Sequence, residues 1–168
     1  AIVAMASSHA ATLISDSFGG MADNEGLTGR TPEISNAGGA WNGSTANLIS
    51  NGAGALEVGY TTDQPRTASI NLGAGYLAAN PGTYELSIDI THPTGSTTNT
   101  SWVGLGFMNA NTNTNTFVSN NGNPWMMYRL NGQVNVYGGN GVSNQLINNS
   151  PAGTHGAALG GTYTMKLV

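Results

Sequence analysis

A chain of 168 residues can form one domain with a sizeable core, yet only 7% of these residues are charged, against roughly 25% in ordinary soluble proteins. Four basic and eight acidic residues give a net charge of −4. This balance argues against a nucleic-acid partner and disfavours docking on anionic membranes, because little positive charge is available to neutralise phosphates. Cysteine is absent, which excludes disulfides, thiolate metal sites and cysteine nucleophiles together.

The first ten residues, AIVAMASSHA, are small and mostly apolar. Ser8, His9 and Ala10 fit the small-x-small pattern of a signal-peptidase site, so we interpret residues 1–10 as a signal-peptide remnant. The alternative is an N-terminal extension strand. With few charges and many Asn, Thr and Gly residues, the composition predicts an exported protein, extracellular or at the cell surface. No stretch approaches the roughly 20 apolar residues of a membrane span.

Residues 11–168 are predicted to form a single domain of short strands. The strands are expected at residues 12–18, 46–50, 55–60, 67–72, 84–91, 101–108, 124–130, 133–137 and 162–168. Two of the turns between them carry Asn-Gly signals, at Asn51 and at Asn131. Residues 19–43, 109–123 and 138–161 are predicted to be loops. Nine strands without an amphipathic helix predict an all-β fold, a two-sheet antiparallel β-sandwich of jelly-roll type.

Alternation along the strands separates an apolar set of side chains from a mixed one. Leu86, Ile88 and Ile90 share one face of their strand, which we expect to face the core. The same alternation assigns to the core the sets 103/105/107, 126/128/130 and 134/136. The opposite face is then expected to carry Glu85, Ser87, Asp89, Trp102, Trp125, Arg129, Asn135 and Tyr137.

This second face has the side chains that a glycan groove needs. Gly104 and Gly106 follow Trp102 on it and would leave a shallow trough. Sugars stack their C–H faces on aromatic rings while amide, carboxylate and guanidinium groups take the hydroxyls. Glu85, Asp89, Trp102, Trp125, Arg129, Asn135 and Tyr137 are therefore the candidate ligand-binding residues, and carbohydrate or another surface polymer is the expected partner. The alternative is that Trp102 and Trp125 simply pack against loops that cover the sheet.

The last predicted strand runs to Val168 without a turn or a polar tail. A sandwich cut at this point would expose an unpaired strand edge. We therefore expect either an incomplete domain or a gap filled by strand addition, for which residues 2–7 of the same or a neighbouring chain are suited. This predicts, as an alternative function, a structural or adhesive module that self-associates into a filament or surface layer.

Three short motifs resemble the opening of a known type of domain: DSF at 16–18, LTGRTP at 27–32 and GGAW at 38–41. Residues 84–89, 102–107 and 128–132 continue the likeness. Together these motifs resemble the concanavalin A-like (laminin-G-like) domains of exported bacterial proteins, many of which carry a PEP-CTERM sorting tail. The resemblance implies a curved two-sheet sandwich that often binds carbohydrate. The fold alone does not establish a ligand, since it also hosts hydrolases, lyases and structural modules.

Catalysis is the third hypothesis, as a glycoside hydrolase or polysaccharide lyase. Laminarinase-like hydrolases of the resembled fold use a Glu, Asp, Glu strand motif, and Glu85, Ser87 and Asp89 lack its middle acid. Residues four apart on a flat strand are about 13 Å apart, whereas glycoside cleavage needs carboxyls about 5–10 Å apart. The three histidines, His9, His92 and His155, lie in predicted leader or loop positions. We therefore expect no catalytic residues and a non-catalytic protein.

No cofactor is expected. No His-x-His or Glu-x-x-His motif occurs, and no loop has the acidic density of a calcium site. Asp23, Asn24 and Glu25 could nevertheless join backbone carbonyls around a calcium ion. We therefore keep calcium open as a ligand of this loop, and assign no metal site.

Overall fold

The computed structural model describes residues 10–43, 48–58, 67–91, 102–107, 124–138, 145–147 and 160–168. Thirteen strands and one helical turn lie in these residues, and the strand pairs are antiparallel. The chain is therefore all-β, as the alternating patterns predict. The predictions for residues 1–9, for the polar segment 109–123 and for the three histidines fall outside the described residues.

Contacts group the chain into two compact units. In the described part of the first unit the strands are β1 (Ile14–Ser15), β2 (Asp23–Gly26), β3 (Ile34–Ser35), β4 (Trp41–Gly43), β5 (Leu48–Asn51), β6 (Leu56–Val58) and β7 (Ala68–Ile70). They form a three-stranded sheet in the order β2-β5-β6 and two strand pairs, β1-β3 and β4-β7. Met21, Leu27 and Ile49 are its buried apolar side chains.

Three of these strands, β2, β3 and β4, lie in the segment that the sequence predicts to be a loop. They are two to four residues long and consist largely of Asp, Asn, Ser and Gly. These residue types have low β-propensity, so pairing with distant partners decides their structure. The prediction of a strand over residues 12–18 is wrong in length, because only β1 has strand geometry there.

The second unit contains the longer strands. After the short helix α1 (Tyr76–Ala79) come β8 (Leu86–Thr91), β9 (Trp102–Gly106), β10 (Trp125–Arg129), β11 (Val134–Tyr137), β12 (Gln145–Ile147) and β13 (Thr162–Leu167). Four of them form a sheet in the order β12-β11-β10-β9, and β8 pairs with β13. Strand β9 approaches both members of that pair. Strand β12 lies in a segment predicted to be a loop.

The hairpin predicted from Asn131 and Gly132 joins β10 and β11. Gly132 takes a left-handed φ of 81°, and its N–H donates to the carbonyl of Arg129 at 2.9 Å. The Arg129 N–H in turn donates to the carbonyl of Gln133 at 2.8 Å. A turn of this kind sets the register of the two strands that it joins.

The β8-β13 pair has the two-faced character that its sequence predicts. Leu86, Ile88 and Ile90 lie opposite Leu167, Met165 and Tyr163, so their side chains share one face. Met165 is buried on this face, while Ile88 and Tyr163 remain 37% and 38% exposed. The other face is polar and exposed, with Ser87, Asp89 and Thr91 opposite Lys166, Thr164 and Thr162. No helix among the described residues is long and apolar enough to span a bilayer.

Candidate binding site

Five of the seven predicted ligand-binding residues lie on one face of the four-stranded sheet. Trp125 pairs with Gly106 on one side and with Tyr137 on the other, and Arg129 pairs with Trp102. Met127 lies between Gly104 and Asn135. Because side chains alternate along each strand, the residues that share this face are Trp102, Trp125, Met127, Arg129, Asn135 and Tyr137. We call this set the aromatic face.

Most of the aromatic face is core. Trp125 and Asn135 are each 1% exposed, and Tyr137 is 4% exposed. The Trp125 and Tyr137 rings stack with centroids 4.1 Å apart and planes 7° from parallel. The expectation of an open trough is therefore wrong for these three residues, because alternation shows which side chains share a face and says nothing of which face is covered. On the opposite face, which was expected to be the core, Val103, Leu105, Val134 and Val136 are only half-buried, and Tyr128 is buried at 7% exposure.

The glycines on the aromatic face make room for rings instead of forming a trough. A Cβ at Gly106 would collide with the backbone of Trp125, so only glycine lets β9 and β10 approach this closely there. A Cβ at Gly104 would lie 3.1 Å from Cζ3 of Trp102. The indole of Trp102 therefore lies along its own strand, over Gly104, and it packs against the cluster of Trp125, Met127 and Tyr137.

The accessible end of the aromatic face is formed by Trp102 and Arg129. Both are half-buried, and they are directly opposite on β9 and β10. Nε of Arg129 donates a long hydrogen bond of 3.4 Å to Oδ1 of the buried Asn135. This end therefore combines an indole partly open to solvent with a guanidinium, whereas the remaining aromatic side chains lie beneath it in the core.

Glu85 and Asp89, the other two candidates, belong to the polar face of the β8-β13 pair. The Glu85 carboxylate lies 3.0 Å from Nζ of Lys166, and both side chains are about half exposed. Oδ1 of Asp89 accepts a hydrogen bond of 2.6 Å from Oγ1 of Thr164. Each carboxylate is thus engaged with a cross-strand neighbour on β13, as opposite polar residues of an antiparallel pair commonly are.

A second cluster surrounds Asp16 in the first unit, and the sequence analysis names its residues only within the motifs of the resemblance, not as a candidate site. Its carboxylate accepts hydrogen bonds from Nε and Nη2 of Arg30, from Nε1 of Trp41 and from the backbone N–H of Phe18, at 2.7 to 3.1 Å. The side chain of Asp16 is 1% exposed and that of Arg30 is 18% exposed. We call Asp16, Phe18, Arg30 and Trp41 the Asp16 cluster.

The electrostatics of the Asp16 cluster favour the charged pair. Burial by itself would raise the pKa of Asp16, but the hydrogen bonds from Arg30, Phe18 and Trp41 outweigh it and lower the pKa. The hydrogen bond to Asp16 likewise raises the pKa of Arg30, against the opposing effect of burial. A carboxylate with four N–H donors and a forked guanidinium partner is held both ionised and fixed in orientation.

Local chain geometry brings the Asp16 cluster together. Phe18 has a left-handed φ of 57°, which the hydrogen bond to Asp16 and a tilted contact with Trp41 at 6.0 Å support. The Trp41 N–H donates to the carbonyl of Arg30, and Gly29 N–H donates to the carbonyl of Trp41, both at 2.8 Å. In the sequence, the available signals were the DSF, LTGRTP and GGAW motifs, which contain these residues, and a lone arginine after Gly29 in a chain with only four basic residues.

The loop proposed for calcium uses its polar groups internally. Oε2 of Glu25 accepts a hydrogen bond of 2.8 Å from the N–H of Ala22, and Nδ2 of Asn24 donates to Oδ2 of Asp23 at 2.9 Å. In the described ranges no three His, Cys, Asp or Glu side chains are grouped closely enough to hold a metal ion. No metal centre is assigned to this loop.

Comparison with known proteins identifies no relative: no family model, no curated protein and no solved structure matches the chain.

Proposed function

We propose that this chain is a non-catalytic β-sandwich of an exported protein, concanavalin A-like in its architecture, that binds carbohydrate or another hydroxyl-rich surface polymer. The observation that carries the proposal is the pairing of Trp102 and Arg129 at the accessible end of the aromatic face. An indole that is partly open to solvent can stack on the C–H face of a sugar ring, and a neighbouring guanidinium can donate to its hydroxyls.

The buried part of the aromatic face supports this site by holding it rigid. Trp102 rests on Gly104 and against the packed side chains of Trp125, Met127 and Tyr137, so its ring has little freedom to lose on binding. Arg129 is oriented by the amide of the buried Asn135. A preorganised ring and donor cost less to immobilise than mobile surface groups, and that favours binding of a weakly interacting neutral ligand.

The arrangement of Glu85 and Asp89 supports a non-catalytic protein. Glycoside cleavage needs one carboxyl held protonated and a second aimed at the anomeric carbon. Glu85 is instead ion-paired with Lys166 at 3.0 Å, and Asp89 accepts a hydrogen bond from Thr164. Both pairs lie on an exposed polar sheet face, where water competes with any substrate.

Binding to soluble polysaccharides tests this proposal. We expect the purified chain to be retarded in affinity gels that contain neutral β-glucan, xylan or mannan. Trp102→Ala should weaken the best of these interactions at least about tenfold, which corresponds to about 1.4 kcal/mol. Trp102→Phe, which keeps a stacking ring, should retain most of the affinity.

The matched control is Tyr163→Ala, which removes an aromatic side chain that is 38% exposed and belongs to β13, not to the strands of the aromatic face. This variant should bind as the parent does. The proposal fails if no polysaccharide retards the parent, or if Trp102→Ala binds unchanged while near-ultraviolet circular dichroism shows intact packing.

An assembling structural module is the second candidate function. The exposed apolar side chains of Ile88 and Tyr163 on the β8-β13 pair favour it, because a second copy of the chain could cover them. Light scattering on the same preparations distinguishes the two functions. A chain that binds glycan and keeps a monomeric mass as its concentration rises supports glycan binding alone.

A further inference from the structure

Three Asn-Gly pairs lie in the described part of the chain, at Asn42, Asn51 and Asn131. In such a pair the glycine nitrogen can attack the side-chain amide carbon of asparagine, because no Cβ hinders its approach. Most folded environments prevent this attack by fixing the backbone. The three pairs differ in the hydrogen bonds that the asparagine side chain and the glycine N–H make, and in their exposure to solvent.

Asn51 has its side-chain oxygen held by two backbone donors. Oδ1 accepts hydrogen bonds from the N–H of Ala53 at 2.9 Å and from the N–H of Ala55 at 3.1 Å. This oxygen is the atom that becomes negatively charged when the amide carbon is attacked. Two fixed N–H groups at this distance are the arrangement by which acyl-transfer enzymes stabilise an oxyanion.

Asn51 and Gly52 also lie where hydroxide from the solvent can reach them. It is the last residue of β5, and both it and Gly52 are exposed. Gly52 has a left-handed φ of 69°, and its N–H donates to Oγ of Ser50 at 3.0 Å. This hydrogen bond from Gly52 to the Ser50 hydroxyl must break before hydroxide can remove the Gly52 N–H proton.

The other two pairs are more restrained. Asn131 Oδ1 accepts one N–H, from Gln133 at 3.2 Å, while the N–H of the buried Gly132 closes the hairpin turn. Asn42 lies inside β4, paired with β7, and the N–H of the buried Gly43 donates to Oγ1 of Thr28 at 3.2 Å. Regular pairing and burial keep both glycine nitrogens away from the attack.

We propose that Asn51 is a self-catalysed deamidation site. Hydroxide removes the Gly52 N–H proton, and the nitrogen bonds to Cγ of Asn51 while the charge on Oδ1 is stabilised by the N–H groups of Ala53 and Ala55. The Cγ–Nδ2 bond then breaks, and the nitrogen takes a proton from water and leaves as ammonia. Water opens the resulting succinimide at either carbonyl, which gives aspartate or isoaspartate at position 51.

Deamidation at this position would weaken the first unit. Asn51 lies directly opposite Asp23 in the β2-β5 pair, so the new carboxylate faces an existing one. Like charges directly opposite each other on paired strands are destabilising. The isoaspartyl product also inserts an extra backbone carbon beside that pairing. Age would therefore loosen this edge of the three-stranded sheet.

Peptide mapping by mass spectrometry tests the proposal on the intact chain. The protein is incubated in mildly alkaline buffer, folded or unfolded in urea, and the tryptic peptides of residues 31–66 and 130–166 are followed for a gain of about 1 Da, which fragment ions assign to Asn42, Asn51 or Asn131. We expect Asn51 to convert at least about tenfold faster in the folded chain than in the unfolded one, because the two donors exist only in the fold. In the folded chain, Asn42 and Asn131 should convert more slowly than Asn51.

Conversion of Asn51 at an equal or lower rate in the folded chain overturns the proposal, since Asn-Gly pairs react without any fold. Ala53→Pro removes one of the two donors and should slow the folded reaction while leaving the unfolded rate unchanged. If that variant does not fold, the comparison of folded and unfolded parent protein still decides. Asn51→Gln should abolish the mass gain at this position and so verifies its assignment.

Discussion

Two carboxylate–cation pairs of this chain have similar closest distances and opposite surroundings. Asp16 and Arg30 approach to 2.7 Å, and Glu85 and Lys166 approach to 3.0 Å. The first pair has side chains that are 1% and 18% exposed, whereas those of the second are 50% and 53% exposed. The difference shows that distance alone does not rank ion pairs, because burial sets both the dielectric and the cost of removing one partner.

The Asp16–Arg30 pair also has more additional hydrogen-bond partners than the Glu85–Lys166 pair. Asp16 also accepts hydrogen bonds from the indole of Trp41 and the backbone of Phe18. In addition, Arg30 donates to the carbonyl of Gly19 at 3.1 Å and lies 3.6 Å from Glu33, which accepts a bond from Ser17. The Asp16 cluster therefore ties three separate stretches of the first unit together, at residues 16–19, 30–33 and 41, while Glu85 and Lys166 join two neighbouring strands.

Removing Arg30 should have the largest effect. Arg30→Leu leaves the Asp16 carboxylate buried without its cation, and we expect a loss of about 3 kcal/mol in the free energy of unfolding. Urea unfolding followed by tryptophan fluorescence measures it, and Trp41 is itself a reporter of the cluster. Arg30→Lys keeps the charge but not the fork, so it should recover only part of the loss.

A change below about 0.5 kcal/mol for Arg30→Leu would contradict this view, since surface substitutions fall in that range. Such a result would mean that Asp16 gains water or a proton at little cost. The exposed pair supplies the matched control: Lys166→Leu makes the same kind of change where both side chains are half exposed.

The second-largest effect is expected in acid, where the stability that depends on Asp16 should be lost. The folded-state pKa of Asp16 is lowered, so its contribution to stability is fully present above the ordinary aspartate pKa of about 3.9. The contribution is lost as the pH falls below that value and through the lowered folded-state pKa. The free energy of unfolding of the parent should therefore fall more steeply below pH ~4 than that of Asp16→Asn. Parallel curves for the two proteins would show that Asp16 does not carry this dependence.

The sequence predicts those features of the structure that depend on neighbouring residues, and it fails where contacts between distant segments decide. Alternation correctly predicted that Trp102, Trp125 and Tyr137 share a sheet face, because a period of two follows from strand geometry alone. It did not predict that Trp125 and Tyr137 are buried there, because burial depends on what covers the sheet. The hairpin at Asn131 and Gly132 was predictable because its signal is local.

The Asp16 cluster shows the opposite case. Asp16 is 14 residues from Arg30 and 25 residues from Trp41, and the segments between them contain only short strands of low propensity. Nothing in local periodicity brings these three side chains together. The sequence analysis names these residues only within the motifs of the resemblance, at 16–18, 27–32 and 38–41, and neither those motifs nor the rarity of charged residues specifies which side chains are partners.

The smallest effect is expected where the exposed pair is broken. Lys166→Ala should lower the free energy of unfolding by less than about 0.5 kcal/mol, because exposed ion pairs gain little in high dielectric and lose side-chain entropy. A double-mutant cycle with Glu85→Gln isolates the pair itself, and its coupling energy should shrink further as salt is added. Ser87, Asp89 and Thr164 lie on the same polar face as Lys166 and Glu85. These three residues are unchanged in every variant of the cycle. A coupling energy as large as that between Asp16 and Arg30 would mean that β-sheet context, and not burial, determines the strength of ion pairs in this protein.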